Sequence, residues 1–315
     1  FDGVSSGTLY KTVCGYTRIL NKSHLKAYES FFIENNGSSI AIWIIDASAQ
    51  IYRNYIEVIL DSESSHGIRV QNSSDNVIIE NNIIYAESTR TGELAHVSGL
   101  GLKINWYGAI NNNLIMVKTQ GVSGGTSIGA NFAHEYAHYL KFYNNIFYDI
   151  TDDSNIETRG LYHSFPSDDS IYYVKNNYFV GYDFVYFNQL DNEEGAHKCA
   201  GNSSSNCNLT DFEALSASYE NNVAIVSGTE VTFVDSNCPE TPPAGDIFNC
   251  NFHINPATSI FHYSHSGANY NGSYFPGDDY LGIYLSILKD YDGCSRTLTI
   301  NQFSVGPYEG TGNCE

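Results

Sequence analysis

The feature that most restricts the fold of this chain is a pair of asparagines that returns between runs of β-branched and aromatic residues. The clear copies are Ile79–Tyr85, Ile110–Met116, Phe142–Tyr148 and Val174–Val180, with a later copy from Tyr219 and a degenerate one from Arg53. If Asn54, Asn81, Asn112, Asn144, Asn176 and Asn221 are equivalent, the spacings are 27, 31, 32, 32 and 45 residues. A fixed period of this length is typical of solenoids, here with one larger insertion.

The repeat predicts a coil of short strands with an asparagine at one corner. Asparagine tolerates a left-handed backbone better than other non-glycine residues, and stacked amides hydrogen-bond along an axis. Residues two before and two after this asparagine are then expected to form two apolar columns. The first column is Ile79, Ile110, Phe142, Val174 and Tyr219; the second is Ile56, Ile83, Leu114, Ile146, Tyr178 and Val223. Columns of this kind provide the continuous core that a solenoid needs.

The composition agrees with an all-β chain and excludes two partner classes. Aromatic residues are 14% of the chain and charged residues 16%, with a formal net charge of -20. That field repels a phosphate backbone and an anionic bilayer, so nucleic acid is excluded as a partner. No run approaches eighteen apolar residues, so membrane insertion is not expected either.

These repeats resemble the rungs of right-handed parallel β-helix proteins, the architecture of pectate lyases and many secreted repeat proteins. The resemblance covers roughly residues 25–230. The C-terminal segments Asp290–Arg296 and Phe303–Glu309 are similar to the DxDG…R…DIGAYE ending of bacterial and archaeal surface proteins with this fold, although Ser304 and Pro307 replace the usual Asp and Ala. The resemblance implies a parallel β-helix and an exterior location, and it implies no single activity.

The pattern suggests three parts: a cap over 1–24, a parallel β-helix over 25–255 with a polar insertion at 186–217, and a closing segment over 256–315. Phe1 is interpreted as a processed N-terminus, which together with the cysteines predicts an extracellular or cell-surface protein.

Seven cysteines and six glycosylation sequons also favour an extracellular or cell-surface location. The close pairs Cys199/Cys207, Cys238/Cys250 and Cys294/Cys314 are candidate disulfides that leave Cys14 over, although sequence alone does not determine their connectivity. The sequons are at Asn21, Asn36, Asn72, Asn202, Asn208 and Asn271.

One metal motif is interpreted as a chance match. His134-Glu135-Tyr136-Ala137-His138 fits the H-E-x-x-H pattern, which binds zinc only on a helix. In a strand the two histidines would lie about 13 Å apart, too far for one ion. We therefore expect His134 and His138 to share no metal. No cofactor is predicted, and calcium at Asp278, Asp279, Asp290 and Asp292 stays an open alternative to ordinary turn chemistry.

The same stretch contains weak catalytic candidates. A 32-residue offset brings Glu135 beside Lys103 on one side and Ser167 on the other, with His138, Asp168 and Asp169 on the same flank. Acid/base chemistry on a polysaccharide needs such a cluster, but a polar outer face explains it equally well.

Two function classes remain. The first is a non-enzymatic structural or adhesive protein that assembles head to tail with copies of itself into a filament, sheath or appendage. The alternative is a lyase or glycoside hydrolase that degrades an extracellular glycan. Tyr172, Tyr173, Tyr178, Tyr182, Tyr186, Trp43 and Trp106 are candidate sugar-stacking rings, with burial in the core the favoured interpretation.

Overall fold

Three parallel sheets run side by side along the coil, and each turn of the chain adds one strand to every sheet. The computed structural model describes residues 6–73, 76–104, 107–120, 124–133, 139–164, 172–188, 206–216, 219–220, 222–225, 250–252 and 291–292. The first sheet has the order β1-β4-β7-β10-β13-β16-β19-β23, the second β2-β5-β8-β11-β14-β17-β20-β24, and the third β22-β21-β18-β15-β12-β9-β6-β3. The predicted all-β parallel β-helix is confirmed.

The strands and the helix are, in chain order, β1 (Ser6–Tyr10), β2 (Val13–Cys14), β3 (Thr17–Leu20), β4 (His24–Tyr28), β5 (Phe31–Glu34), β6 (Ile40–Ile45), β7 (Ser48–Tyr52), β8 (Tyr55–Leu60), β9 (Ser64–Ser73), β10 (Val77–Glu80), β11 (Ile83–Ser88), β12 (His96–Ile104), β13 (Tyr107–Asn111), β14 (Leu114–Thr119), β15 (Thr126–Ala133), β16 (Tyr139–Tyr143), β17 (Ile146–Asp149), β18 (Glu157–Ser164), β19 (Tyr172–Lys175), β20 (Tyr178–Val180), β21 (Phe184–Asn188), β22 (Asn206–Cys207), α1 (Leu209–Glu213), β23 (Tyr219–Glu220) and β24 (Val223–Ile225).

The corner between the first and second sheets has a left-handed residue in every rung from the first to the seventh. The predicted stack is confirmed, because Asn81, Asn112, Asn144 and Asn176 follow paired strand residues and have φ between 54° and 57°. The same position in the first three rungs is filled by Lys11, Glu29 and Arg53, with φ between 48° and 55°. The coil therefore includes two rungs, at Lys11 and Glu29, that the asparagine repeat does not contain.

The second asparagine of each pair, rather than the first, forms the amide ladder. Its members are Asn54, Asn82, Asn113, Asn145, Asn177 and Asn222, all buried. At each step the Oδ1 of one member accepts from the backbone N–H and the Nδ2 of the member before it, as between Asn113 and Asn82 at 2.9 and 3.0 Å. Asn54 belongs to this ladder, so the alignment of Asn54 with Asn81 is wrong by one residue. The same shift pairs Tyr55, not Ile56, with Ile83.

Only the first predicted column lies inside the coil. Ile79, Ile110, Phe142, Val174 and Tyr219 pair in register and belong to the interior cluster. The second column, from Tyr55 and Ile83 through Leu114, Ile146 and Tyr178, lies on the opposite face of the second sheet, in a separate apolar cluster. The prediction that it fills the coil interior is therefore wrong. Both faces of this sheet are apolar, so alternation with period two does not identify the inner one.

Residues from the C-terminal part of the chain cover this outer cluster. Phe252 is 1% exposed within it, and Cys250 and Tyr291 pack against it. The second sheet is thus buried on both sides, like the sheet of an α/β protein.

The two ends of the coil differ. The first rung (β1, β2 and β3) has no strand paired with its outer edge among the described residues. At the other end, β22 pairs antiparallel with β21, and α1 packs Phe212 between Tyr186 and Tyr219. Asn208 caps α1 by accepting from Asp211 N–H. We call β22, α1 and β23 the terminal cap.

The cysteines are only partly placed. Cys14 is free. Cys207 and Cys250 are disulfide-bonded, and no disulfide joins two described residues. Cys199, Cys238, Cys294 and Cys314 lie outside the described residues, so the three pairings stay predictions. Within the part of the chain that the structure describes, no helix is long and apolar enough to cross a bilayer.

Candidate binding face

The outer face of the third sheet carries partly exposed aromatic and cationic side chains in several successive rungs. In β6 the flanking residues Ile42 and Ile44 are fully buried in the coil, so Trp43 between them points outward and is half-buried. The same position in successive rungs is taken by Arg69, Gly101, Asn131, Tyr162 and Phe187. We call this outward column the third-sheet column.

Trp43 lies between two guanidinium groups from the strands on either side. The Cζ atom of Arg18 is 4.7 Å from the indole ring and that of Arg69 is 5.7 Å from it. Contacts of this kind are favourable because the ring face is electronegative. Arg69 is partly exposed, and no ion pair between it and a carboxylate is found among the described residues.

A gap follows Arg69 along the column, because the next rung has Gly101. A Cβ atom at Gly101 would lie 3.4 Å from His66 Nδ1 and 3.6 Å from Arg69 Cγ. The His66 ring nitrogens form hydrogen bonds with the hydroxyls of Ser64 and Ser98. Burial, together with the nearby Arg69 charge, lowers the pKa of His66 to about 4. His66 is therefore a neutral hydrogen-bonding group at the floor of this gap.

A second cluster of aromatic and cationic side chains lies at the later rungs of the column. Arg159 stacks on Phe187 at 3.6 Å and on Tyr162 at 5.1 Å, and the two rings are parallel to each other at 5.0 Å. Glu157 neutralises this guanidinium at 2.7 Å. Flat rings, planar guanidinium groups and an amide at one-rung intervals are the chemistry that stacks on sugar rings and hydrogen-bonds their hydroxyls.

Most of the predicted catalytic cluster lies outside the described residues. This holds for Glu135, His138, Asp168 and Asp169, together with His134, so the zinc prediction is untested. Lys103 lies in β12, where the pairing with β9 shifts register between Leu102 and Ile104, and it is partly exposed. Among the described residues, no group of three or more His, Cys, Asp or Glu is arranged to hold a metal ion.

The predicted sugar-stacking rings divide between core and surface. Tyr178, Tyr182 and Tyr186 are buried, as the favoured interpretation holds. Trp43 is on the outer face, while Trp106 lies outside the described residues. Searches of family models, curated proteins and solved structures found no match. The pectate-lyase-like resemblance therefore remains an expectation from the residues.

Sequence reasoning missed the third-sheet column and one buried acid. The residue type changes from rung to rung along this column, so the column is not visible as a repeat in the amino-acid sequence. Asp149 takes an interior position that Val117 fills one rung earlier. Its Oδ1 accepts from Ser127 Oγ and Thr151 N–H, while its Oδ2 and the buried Tyr182 hydroxyl have no hydrogen-bond partner among the described residues. Burial raises the pKa of Asp149 to about 7.

Proposed function

We propose that the chain is an extracellular structural or adhesive protein that associates end to end with further copies of itself. The observation that carries the proposal is the surface of the first rung. Among the described residues four large apolar side chains are exposed, and three of them belong to this rung: Val13 at 74%, Tyr10 at 47% and Tyr16 at 39%. Exposed apolar side chains beside an open strand edge favour pairing with another chain.

The interior of the coil also favours a structural role. The amide ladder runs unbroken from Asn54 to Asn222, and rings such as Phe147 and Phe179 stack at 5.1 Å with planes 4° apart. Satisfied buried polar networks of this kind hold one packing arrangement. A coil with such an interior supports a structural role.

Two groups of residues support the extracellular location. Cys207 and Cys250 are in disulfides, which persist in oxidising compartments. The sequon residues Asn21, Asn36, Asn72 and Asn208 are exposed, as glycan attachment requires. Asn202 and Asn271 lie outside the described residues.

Light scattering coupled to gel filtration tests the proposal, with negative-stain imaging of the same fractions. We expect the native chain to form multimers and Val13→Lys to shift them to a monomer. Leu94→Lys is the matched control, because Leu94 is 46% exposed but lies outside the first rung. A native chain that stays at 34.9 kDa at high concentration contradicts the proposal.

A second candidate function is favoured by the third-sheet column, namely binding of an extracellular glycan. Degradation of that glycan by a lyase or glycoside hydrolase is the enzymatic form of this candidate. Affinity electrophoresis against neutral and acidic polysaccharides tests binding, and release of new chain ends tests degradation. We expect Trp43→Ala to abolish retardation in the gel. Tyr28→Ala is the control, since Tyr28 stacks between Tyr10 and Tyr52 in the first sheet.

A further inference from the structure

We propose that the first rung of one copy docks on the terminal cap of the next, with basic residues of the rung facing acidic residues of the cap. This inference rests on the proposed end-to-end association and adds its partner surface and its direction.

The first rung is basic in an otherwise acidic chain. Residues 3–28 contain four basic residues and no acidic residue: Lys11 and Arg18 lie in the first rung, Lys22 directly after it, and Lys26 in β4 of the second rung. Lys11 Nζ is 3.7 Å from Glu29 Oε2, which begins the more acidic remainder of the chain. Residues 29–315 contain 11 basic and 34 acidic residues. Lys11, Arg18 and Lys22 are exposed beside the apolar Val13 and Tyr16. A basic apolar surface of this kind fits an acidic partner, and the remainder of the same chain is one.

The cap end of the coil has the complementary charge. The terminal cap, between Asn206 and Glu220, contains three acidic residues, Asp211, Glu213 and Glu220, and no basic residue. In α1 both Asp211 and Glu213 are partly exposed, and no basic residue lies in its last turn.

The last described step of the amide ladder is occupied within the chain and is not open to another copy. Glu213 Oε1 accepts from the backbone N–H of Asn222 at 2.8 Å and from its Nδ2 at 3.2 Å. This carboxylate takes the place that the next asparagine would fill. A second copy therefore meets the surface of the cap, not an open ladder.

Charge also excludes pairing of two first rungs. That arrangement would bring Lys11, Arg18 and the adjacent Lys22 of one copy against the same three residues of another, and like charges across an interface are strongly unfavourable. A rung-to-cap contact joins unlike surfaces, so it does not close on itself and grows in one direction.

A charge-swap experiment tests the inference. The rung variant is Lys11→Glu/Lys22→Glu and the cap variant is Asp211→Lys/Ala214→Lys, which leaves the Asn208 sequon intact. We expect each alone to associate at least about tenfold more weakly than the native chain. We expect an equimolar mixture of the two to associate again, because each altered end then meets an opposite charge. Asp152→Lys/Asp153→Lys changes an exposed turn and serves as the control.

The outcomes separate this inference from the proposed function. A monomeric native chain overturns both. Association that Val13→Lys abolishes but the cap variant leaves unchanged overturns the docking surface alone, as does a mixture that fails to recover. Native association should also weaken between 0.05 and 0.5 M NaCl, since screening shortens the range of the attraction. Circular dichroism of each variant confirms that it is folded.

Discussion

In the rungs that contain an asparagine pair, the two neighbouring asparagines have different structural roles. Asn112 has a left-handed backbone at φ 55°, while Asn113 has its amide in the interior ladder. The first task needs only a residue that tolerates positive φ, and Lys11, Glu29 and Arg53 perform it in the early rungs. The second needs an acceptor and two donors at a defined point, so its substitutes near the first rung, Ser30 and Thr12, continue the chain of bonds only in part.

The same substitution at these two positions should therefore have different effects. Asn113→Gly removes bonds to Asn82, Asn145 and the Ile79 carbonyl and leaves buried groups unpaired, which we expect to cost about 3 kcal/mol. Asn112→Gly keeps a residue that adopts positive φ, and we expect it to cost less than about 1 kcal/mol. Urea unfolding measures both. Equal losses would contradict the division of roles.

Asp149 should make the free energy of unfolding depend on pH. Its pKa is about 7 in the folded chain and near 3.8 when unfolded, so the folded state holds the proton over this interval. Its contribution is complete below about pH 4 and is lost as pH rises toward 7, by up to about 4 kcal/mol.

Asp149→Asn removes this dependence without changing the shape of the side chain. Urea unfolding at pH 4, 5.5, 7 and 8 should show a smaller decline with pH in the variant than in the native chain. The gain of the variant should be largest at pH 8. Asp153→Asn, at an exposed turn, controls for the general effect of removing a carboxylate. Parallel pH curves for the native chain and Asp149→Asn would refute the assignment.

At the scale of the elements, a column of glycines determines how closely the third sheet approaches the second. Gly67, Gly99, Gly129 and Gly160 stack in successive rungs, and a Cβ at each would lie within 3.0 Å of another atom. The opposing side chains are Ile84, Ile115, Phe147 and Phe179 on the inner face of the second sheet. Small residues here make room for large ones across the coil, which is how tight interiors are filled.

Gly129→Ala tests this packing. The new Cβ would be 2.6 Å from the Gly160 carbonyl oxygen and 2.8 Å from the Phe147 ring, and a backbone atom cannot move aside easily. We expect a loss of about 1–3 kcal/mol in the free energy of unfolding. Gly101→Ala is the matched control in the same sheet, since its Cβ would meet only contacts of 3.4 Å or more. A neutral Gly129→Ala would contradict the close approach.

At the scale of the whole molecule, the second sheet joins two apolar clusters. Its inner face belongs to the coil interior, and its outer face lies under Phe252, Cys250 and Tyr291. The outer face also holds polar pairs, because the Tyr55 and Tyr85 hydroxyls each donate to a glutamate two residues on. C-terminal residues thus contribute to the stability of rungs that precede them by more than 100 positions.

Phe252→Ala should weaken this cover. The side chain is 1% exposed, and loss of a buried phenylalanine typically costs about 3–5 kcal/mol. We expect lower stability and increased binding of a hydrophobic dye as Tyr85, Met116 and Tyr148 become accessible. Asn251→Ala changes the exposed neighbour and should leave dye binding unchanged. Unaltered dye binding in Phe252→Ala would show that the outer cluster does not depend on this residue.

The sequence by itself determined the parallel β-helix and the corner stack, because each repeat of about 30 residues contains β-branched and aromatic runs without helical periodicity and a recurring asparagine that tolerates a left-handed turn. It also identified the inward column headed by Ile79. The asparagine repeat did not predict the first two rungs, because Lys11 and Glu29 take the corner position there. The sequence also did not predict the candidate binding face, since Trp43, Arg69 and Tyr162 occupy the same position in successive rungs but are different residue types.

Tertiary structure alone decided which face of the second sheet is interior, what covers the other face, and that one end of the coil is closed by α1. The physical reason is that all three depend on contacts between residues far apart in the chain. When both faces of a strand are apolar, the sequence does not show which face points into the coil. The repeats that contain Leu114 and Tyr178 likewise do not show that C-terminal residues cover them. The single carboxylate of Glu213 likewise ends the ladder only because the fold brings it to Asn222.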